Sequence, residues 1–175
     1  FANEVDYYIS IWIMDRDGSN PRAIYSPSEA DALDPTWSPD GGKVLFAMGY
    51  GNNKRLYTIN DDGSKLQQIG GSFVTRGRSD WSPDGETIGS YSGESWKREI
   101  FLMDIAGQNL RQISSGGNTL APSFSPDGQW VAFTGYIDQF GNSSGCEIYT
   151  MKTDGSQVIR LTDNDYCDWQ PRWGP

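Results

Sequence analysis

Histidine is absent from the 175-residue sequence. That omission excludes a Ser-His-Asp triad, a His-ligated zinc or manganese site and a histidine general base within the chain. Basic clusters are missing too. The formal charge is −9, and no basic run exceeds the pairs Lys54-Arg55 and Lys97-Arg98. Nucleic-acid phosphates reward clustered Lys and Arg, so no nucleic-acid partner is expected. Apolar runs are only a few residues long, as in Ile11-Trp12-Ile13-Met14. A membrane-crossing helix needs about 20, and no membrane insertion is expected. Helical hydrophobic periodicity is nowhere visible. Cysteine is limited to Cys146 and Cys167.

What the chain has instead is turn and strand chemistry. It carries 21 Gly, 9 Pro, 7 Trp, 9 Tyr and 7 Phe, with 36% hydrophobic and 21% charged residues, a composition suited to an ordered all-β chain. Its organising feature is repetition. Ser-Pro-Asp-Gly occurs at 38–41, 82–85 and 125–128, each preceded by an aromatic (Trp37, Trp81, Phe124). A truncated fourth copy reads Pro171-Arg172-Trp173-Gly174-Pro175. A second motif recurs as Ile11-Trp12-Ile13-Met14, Leu56-Tyr57-Thr58-Ile59, Ile100-Phe101-Leu102-Met103 and Ile148-Tyr149-Thr150-Met151. Each copy is followed by a glycine turn, then by a short strand ending in Ile24, Ile69, Ile113 or Leu161. In Ser-Pro-Asp-Gly, proline presets φ, aspartate caps locally and glycine takes the positive φ. One period therefore holds four short antiparallel strands, A to D, with the Ser-Pro-Asp-Gly turn joining A to B. That is the signature of a β-propeller blade.

The ordered set aromatic-Ser-Pro-Asp-Gly, apolar strand, Ile-Tyr-x-Met-x-x-Asp-Gly and Arg160-Leu161-Thr162 resembles the WD40-like repeats of the TolB type. The resemblance covers essentially the whole chain. It implies an all-β propeller of four-stranded antiparallel blades, with four repeats forming a single domain over residues 1–175. Similar repeats occur in propeller domains of some prolyl-oligopeptidase-type peptidases and of oligogalacturonate lyases. The lyase reading needs histidine ligands that this chain lacks, and the peptidase reading places the hydrolase domain outside these residues. TolB-like proteins imply protein–protein contacts in the cell envelope. The expected function is thus a non-catalytic binding or assembly module without a cofactor, whose partner is a protein or a second copy. A larger hydrolase's propeller and a lectin-like carbohydrate binder are the alternatives.

The repeat phase places the start of the chain in a B strand and its end in an A strand. It favours a four-blade unit sealed by its ends, and leaves open two chains sharing an eight-bladed ring or a longer propeller. Cys146 falls in a B–C loop and Cys167 in a D–A loop, which emerge at the same end of a blade. A disulfide is expected, stabilising by roughly 3 kcal/mol and pointing to a periplasmic or extracellular location. The same end gathers the variable loops, and Tyr50, Trp96, Tyr136 and Trp169 are the candidate contact surface. Asn142-Ser143-Ser144 is a glycosylation sequon in one of these loops. The aspartate turns at 15–18 and 60–63 lack the downstream ligands of a calcium loop, so no metal site is expected, with Asp163, Asp165 and Asp168 as the one open possibility.

Overall fold

The computed structural model describes residues 1–5, 7–136 and 145–174. Among them there is no helix, and so none long and apolar enough to cross a membrane. Fifteen strands make four antiparallel sheets. The first is three-stranded: β1 (Ala2–Val5), β2 (Tyr8–Ile13) and β3 (Arg22–Tyr25). The second holds β4 (Asp31–Trp37), β5 (Lys43–Tyr50), β6 (Asn53–Asn60) and β7 (Gln67–Ile69). The third holds β8 (Asp80–Trp81), β9 (Thr87–Ser92), β10 (Glu99–Asp104) and β11 (Arg111–Gln112). The fourth holds β12 (Thr119–Phe124), β13 (Trp130–Gly135), β14 (Glu147–Lys152) and β15 (Ile159–Arg160). In the four-stranded sheets the spatial order is the chain order, the meander of a propeller blade.

The turns form for the reasons the sequence predicts. At the first Ser-Pro-Asp-Gly, Gly41 has φ 72° and its N–H donates to the Ser38 carbonyl at 2.9 Å. Asp40 Oδ1 accepts from the Ser38 hydroxyl at 2.6 Å and from Gly42 N–H at 3.0 Å, while Ser38 Oγ accepts from Lys43 N–H at 2.9 Å. Asp84 and Asp127 repeat the arrangement with Ser82 and Ser125. Each turn satisfies its own polar groups before any neighbour is involved.

Proline shapes the inner strands. Pro35 and Pro122 cannot donate to a ladder, and register shifts fall between Leu33 and Thr36 and between Leu120 and Ser123. The preceding residues Asp34 and Ala121 take φ 54° and 51°.

Blades pack face to face in chain order. Ile11 and Ile24 of the first meet Ala32, Val44, Phe46 and Ile59 of the second. Leu45, Leu56 and Ile69 of the second meet Trp81, Ile88 and Met103 of the third. Ile100, Leu102 and Ile113 of the third meet Phe124, Val131, Phe133 and Met151 of the fourth. A backbone contact recurs at each step. The C–D turn glycines Gly63, Gly107 and Gly155, all at positive φ, lie so close to the last strand of the preceding blade that a Cβ on any of them would strike its main chain.

Residues 170–174 repeat the A-strand pattern without forming a strand among the described residues. They are anchored by side chains instead. Arg78 donates to the Pro171 carbonyl at 3.2 Å, and Arg172 pairs with Asp80 at 2.7 Å.

Candidate binding face

Antiparallel order sends the A–B and C–D turns to one end of the blades and the B–C and D–A loops to the other. Three of the four candidate aromatics meet at the loop end. Trp96 lies in the third blade's B–C loop, Tyr136 directly after β13, and Trp169 in the loop following β15. Trp96 and Tyr136 are 5.6 Å apart at 81°, and Tyr136 and Trp169 are 5.7 Å apart at 70°. Both are edge-to-face contacts, which suit the aromatic quadrupole. Trp96 is 72% exposed and Trp169 53% exposed, so the trio is a ridge open to solvent.

The loops beneath the ridge are held firmly. Cys146 and Cys167 form a disulfide, with 4.6 Å between Cα atoms, as expected from their loop positions. Asp168 N–H donates to the Cys146 carbonyl at 2.8 Å, and Gln170 N–H donates to Thr134 Oγ1 at 2.9 Å, flanking Trp169 on both sides. On the Trp96 side, Lys97 N–H donates to the Glu94 carbonyl and Thr119 N–H to the Arg98 carbonyl.

Two polar groups below the aromatics are not evident from the sequence pattern. Arg98 Nε and Asn118 Oδ1 are buried without a hydrogen-bond partner among the described residues. Burial pushes the Tyr91 and Tyr136 hydroxyls up in pKa, and the Arg98 charge pulls both back.

Tyr50 sits elsewhere, beside Tyr8. Its hydroxyl hydrogen-bonds Tyr8 and lies near Glu29 and Asp31, which together push its pKa up to about 12. Between the two places, Arg76 bridges blades by donating to the Asn52 carbonyl at 2.6 Å and the Gly93 carbonyl at 2.8 Å.

Deeper inside is a charged network. Asp80 accepts from Phe124 N–H at 3.0 Å and pairs with Arg172, and the charges of Asp34 and Arg78 attract each other. Burial raises both carboxyls and lowers Arg78. Repeat alignment offers a clue to this cluster: the residue before each blade aromatic is Thr36, Asp80, Ser123 and Arg172, so two charges stand where short hydroxyls otherwise occur.

Among the described residues no three Cys, Asp or Glu gather as a metal site. Asp163 pairs with Arg160 at 2.7 Å, and Asp168 accepts from Asn164 at 2.8 Å. The Asn142 sequon lies outside the described residues. Gly141-Asn142-Ser143-Ser144-Gly145 has the Gly-x-Ser-x-Gly spacing of hydrolase elbows, but the chain holds no histidine to activate its serine. At the opposite end, a groove of about 600 Å³ runs between the second and third blades past Asp40, Lys43, Trp81 and Asp84. Its aspartates are already engaged by their own turns.

The comparisons with known proteins agree with this architecture. An uncharacterized protein of Agrobacterium fabrum is 35% identical over 97 residues, covering 54% of this chain and 31% of its own. An uncharacterized peptidase of Bacillus subtilis is 26% identical over 182 residues, covering 81% of this chain and 27% of its own. The crystal structure of TolB from Acinetobacter baumannii superposes with a TM-score of 0.77 at 21% identity, over 94% of this chain and 40% of that one. The match thus spans less than a third of either of these curated relatives and two fifths of that TolB. The family profile described as TolB beta propeller domain matches residues 2–175, and the chain belongs to that family.

Proposed function

We propose that the chain is a non-catalytic binding module that grips a protein segment on the Trp96–Tyr136–Trp169 ridge. The ridge itself carries the reading: three aromatics from separate loops of a rigid scaffold converge on one exposed surface, stapled by a disulfide. Successive tilts of 81° and 70° make the surface notched, which suits an inserted side chain better than the flat face of a sugar ring. The absence of histidine supports the non-catalytic part. The disulfide supports export to an oxidising compartment, periplasmic or extracellular. A second reading follows from the Bacillus peptidase: a propeller belonging to a larger hydrolase, with the chemistry elsewhere.

Screening the chain against a peptide array and a glycan array tests the proposal. Peptide binding should fall at least about tenfold in Trp96→Ala and in Trp169→Ala, the size of effect seen when an interface anchor is truncated. Glycan binding lost in the same variants would move the function to a lectin. Peptide binding indifferent to both substitutions would remove the ridge from consideration.

A further inference from the structure

The turn-end groove between the second and third blades holds a polar group that blade packing does not require. Its walls belong to two inner blades, packed on the first and the fourth on their other faces. Trp81 lines the groove and is only 8% exposed, against Leu45, Ile88 and Met103. Its indole Nε1 is buried and donates to no acceptor among the described residues. A buried donor without an acceptor is costly, and native structures hold few of them. The next blade shows that the position packs without one, since Phe124 stands there and is buried as well.

Charge and apolar surface surround that donor. Asp40, Asp84 and Glu86 set three carboxylates against the single ammonium of Lys43. The turn hydrogen bonds from Ser38, Gly42, Ser82 and Glu86 all fall on Oδ1 of the two aspartates. Oδ2 of each accepts no hydrogen bond among the described residues. Serine hydroxyls hold both carboxyls below the usual carboxylate range, so both are charged at neutral pH. Pro39, Pro83 and the exposed Ile105 add apolar surface. The two turns also stand further apart than the next pair. A Cβ on Gly85 would lie 3.8 Å from Pro39, whereas one on Gly128 would come within 3.2 Å of Pro83. The resulting volume of about 600 Å³ is that of a ligand site.

We infer that this groove docks a basic peptide segment of a partner protein. A Lys or Arg side chain sits among the carboxylates, and a main-chain carbonyl accepts from the Trp81 indole. Three demands select that chemistry. The indole needs an acceptor, the carboxylates need a cation, and Pro39, Pro83 and Ile105 need apolar contact. A polyamine supplies no acceptor and a neutral sugar no cation, whereas a peptide carrying Lys or Arg supplies all three. The carboxylates also steer a cationic segment towards the groove. This site lies at the end of the blades opposite the aromatic ridge and stands or falls independently of it.

Magnetic-resonance titration of the isotopically labelled chain with the capped peptide acetyl-Ala-Leu-Lys-Leu-Ala-amide tests the inference. The Trp81 indole N–H resonance, identified by its loss in Trp81→Phe, should move saturably. Replacing the peptide's lysine by glutamate should weaken binding at least about tenfold. Calorimetry on Trp81→Phe, which copies Phe124 and removes only the donor, should give binding about fivefold weaker. A thermal melt matching the parent chain would verify that this variant is folded. An indole resonance that stays still at millimolar peptide overturns the inference, as does equal affinity for the lysine and glutamate peptides. Spermidine moving the same resonance with the affinity of the lysine peptide would overturn it too, in favour of a free polyamine.

Discussion

The two ends of the blades are built on different principles. At the turn end, the same few residues recur and each turn closes its own hydrogen bonds, as Ser38, Asp40 and Gly41 do. At the loop end no two loops share a sequence, and polar groups reach across blades, as Arg76 does to Asn52 and Gly93. Repetition at one end sets the scaffold, which leaves the other end free to vary.

That division can be tested by breaking each end in turn. The largest loss should come where a turn touches a neighbouring blade. Gly107→Ala combines φ 75° with a collision against the Gly70 backbone and should cost about 4 kcal/mol. The same change at Gly18, equally left-handed but unobstructed, should cost about 1 kcal/mol. Urea unfolding of both variants measures the difference, and equal costs would mean that the interblade seat contributes nothing. Next comes the loop end. Cys146→Ser should cost about 3 kcal/mol and should also loosen Trp169, read as a shift in tryptophan emission at temperatures where the chain stays folded. A comparable stability loss with unchanged emission would separate the staple from the ridge.

The smallest effect is in pH. Hydroxyl and amide donors hold Asp40, Asp84 and Asp127 below the usual carboxylate range, serine hydroxyls foremost. Their folded pKa lies below the unfolded value. Their contribution is therefore complete above about pH 4 and is lost as pH falls through the folded values. Asp34 and Asp80, raised by burial, work in the opposite direction and gain as pH falls. Urea midpoints followed into acid should consequently drop more steeply in Asp80→Asn than in the parent chain. Trp96→Ala, by contrast, should leave stability within about 0.5 kcal/mol, so that binding alone reports on the ridge.

Strands and turns were legible because their signals are local: Ser-Pro-Asp-Gly and the apolar third strand each recur in phase. The disulfide and the meeting of Trp96, Tyr136 and Trp169 were legible one level up, since antiparallel order alone puts their loops at one end. Tyr50 shares that end yet lies with Tyr8, because position around the propeller depends on the blade and not on the loop type. The Asp80–Arg172 pair joins residues 92 apart, and no local pattern predicts that distance. Arg98 and Asn118 stood out only once burial was known.

The glycine seats have a consequence for how such a chain can grow. Neighbouring blades meet main chain against main chain at Gly63, Gly107 and Gly155. The filling between blades is only partly shared: Val44 and Phe46 at the first step recur as Val131 and Phe133 at the third, whereas the second has Ile88 and Ser90 at those positions. A duplicated blade thus inherits this seat with its backbone, and some of its packing residues can drift afterwards.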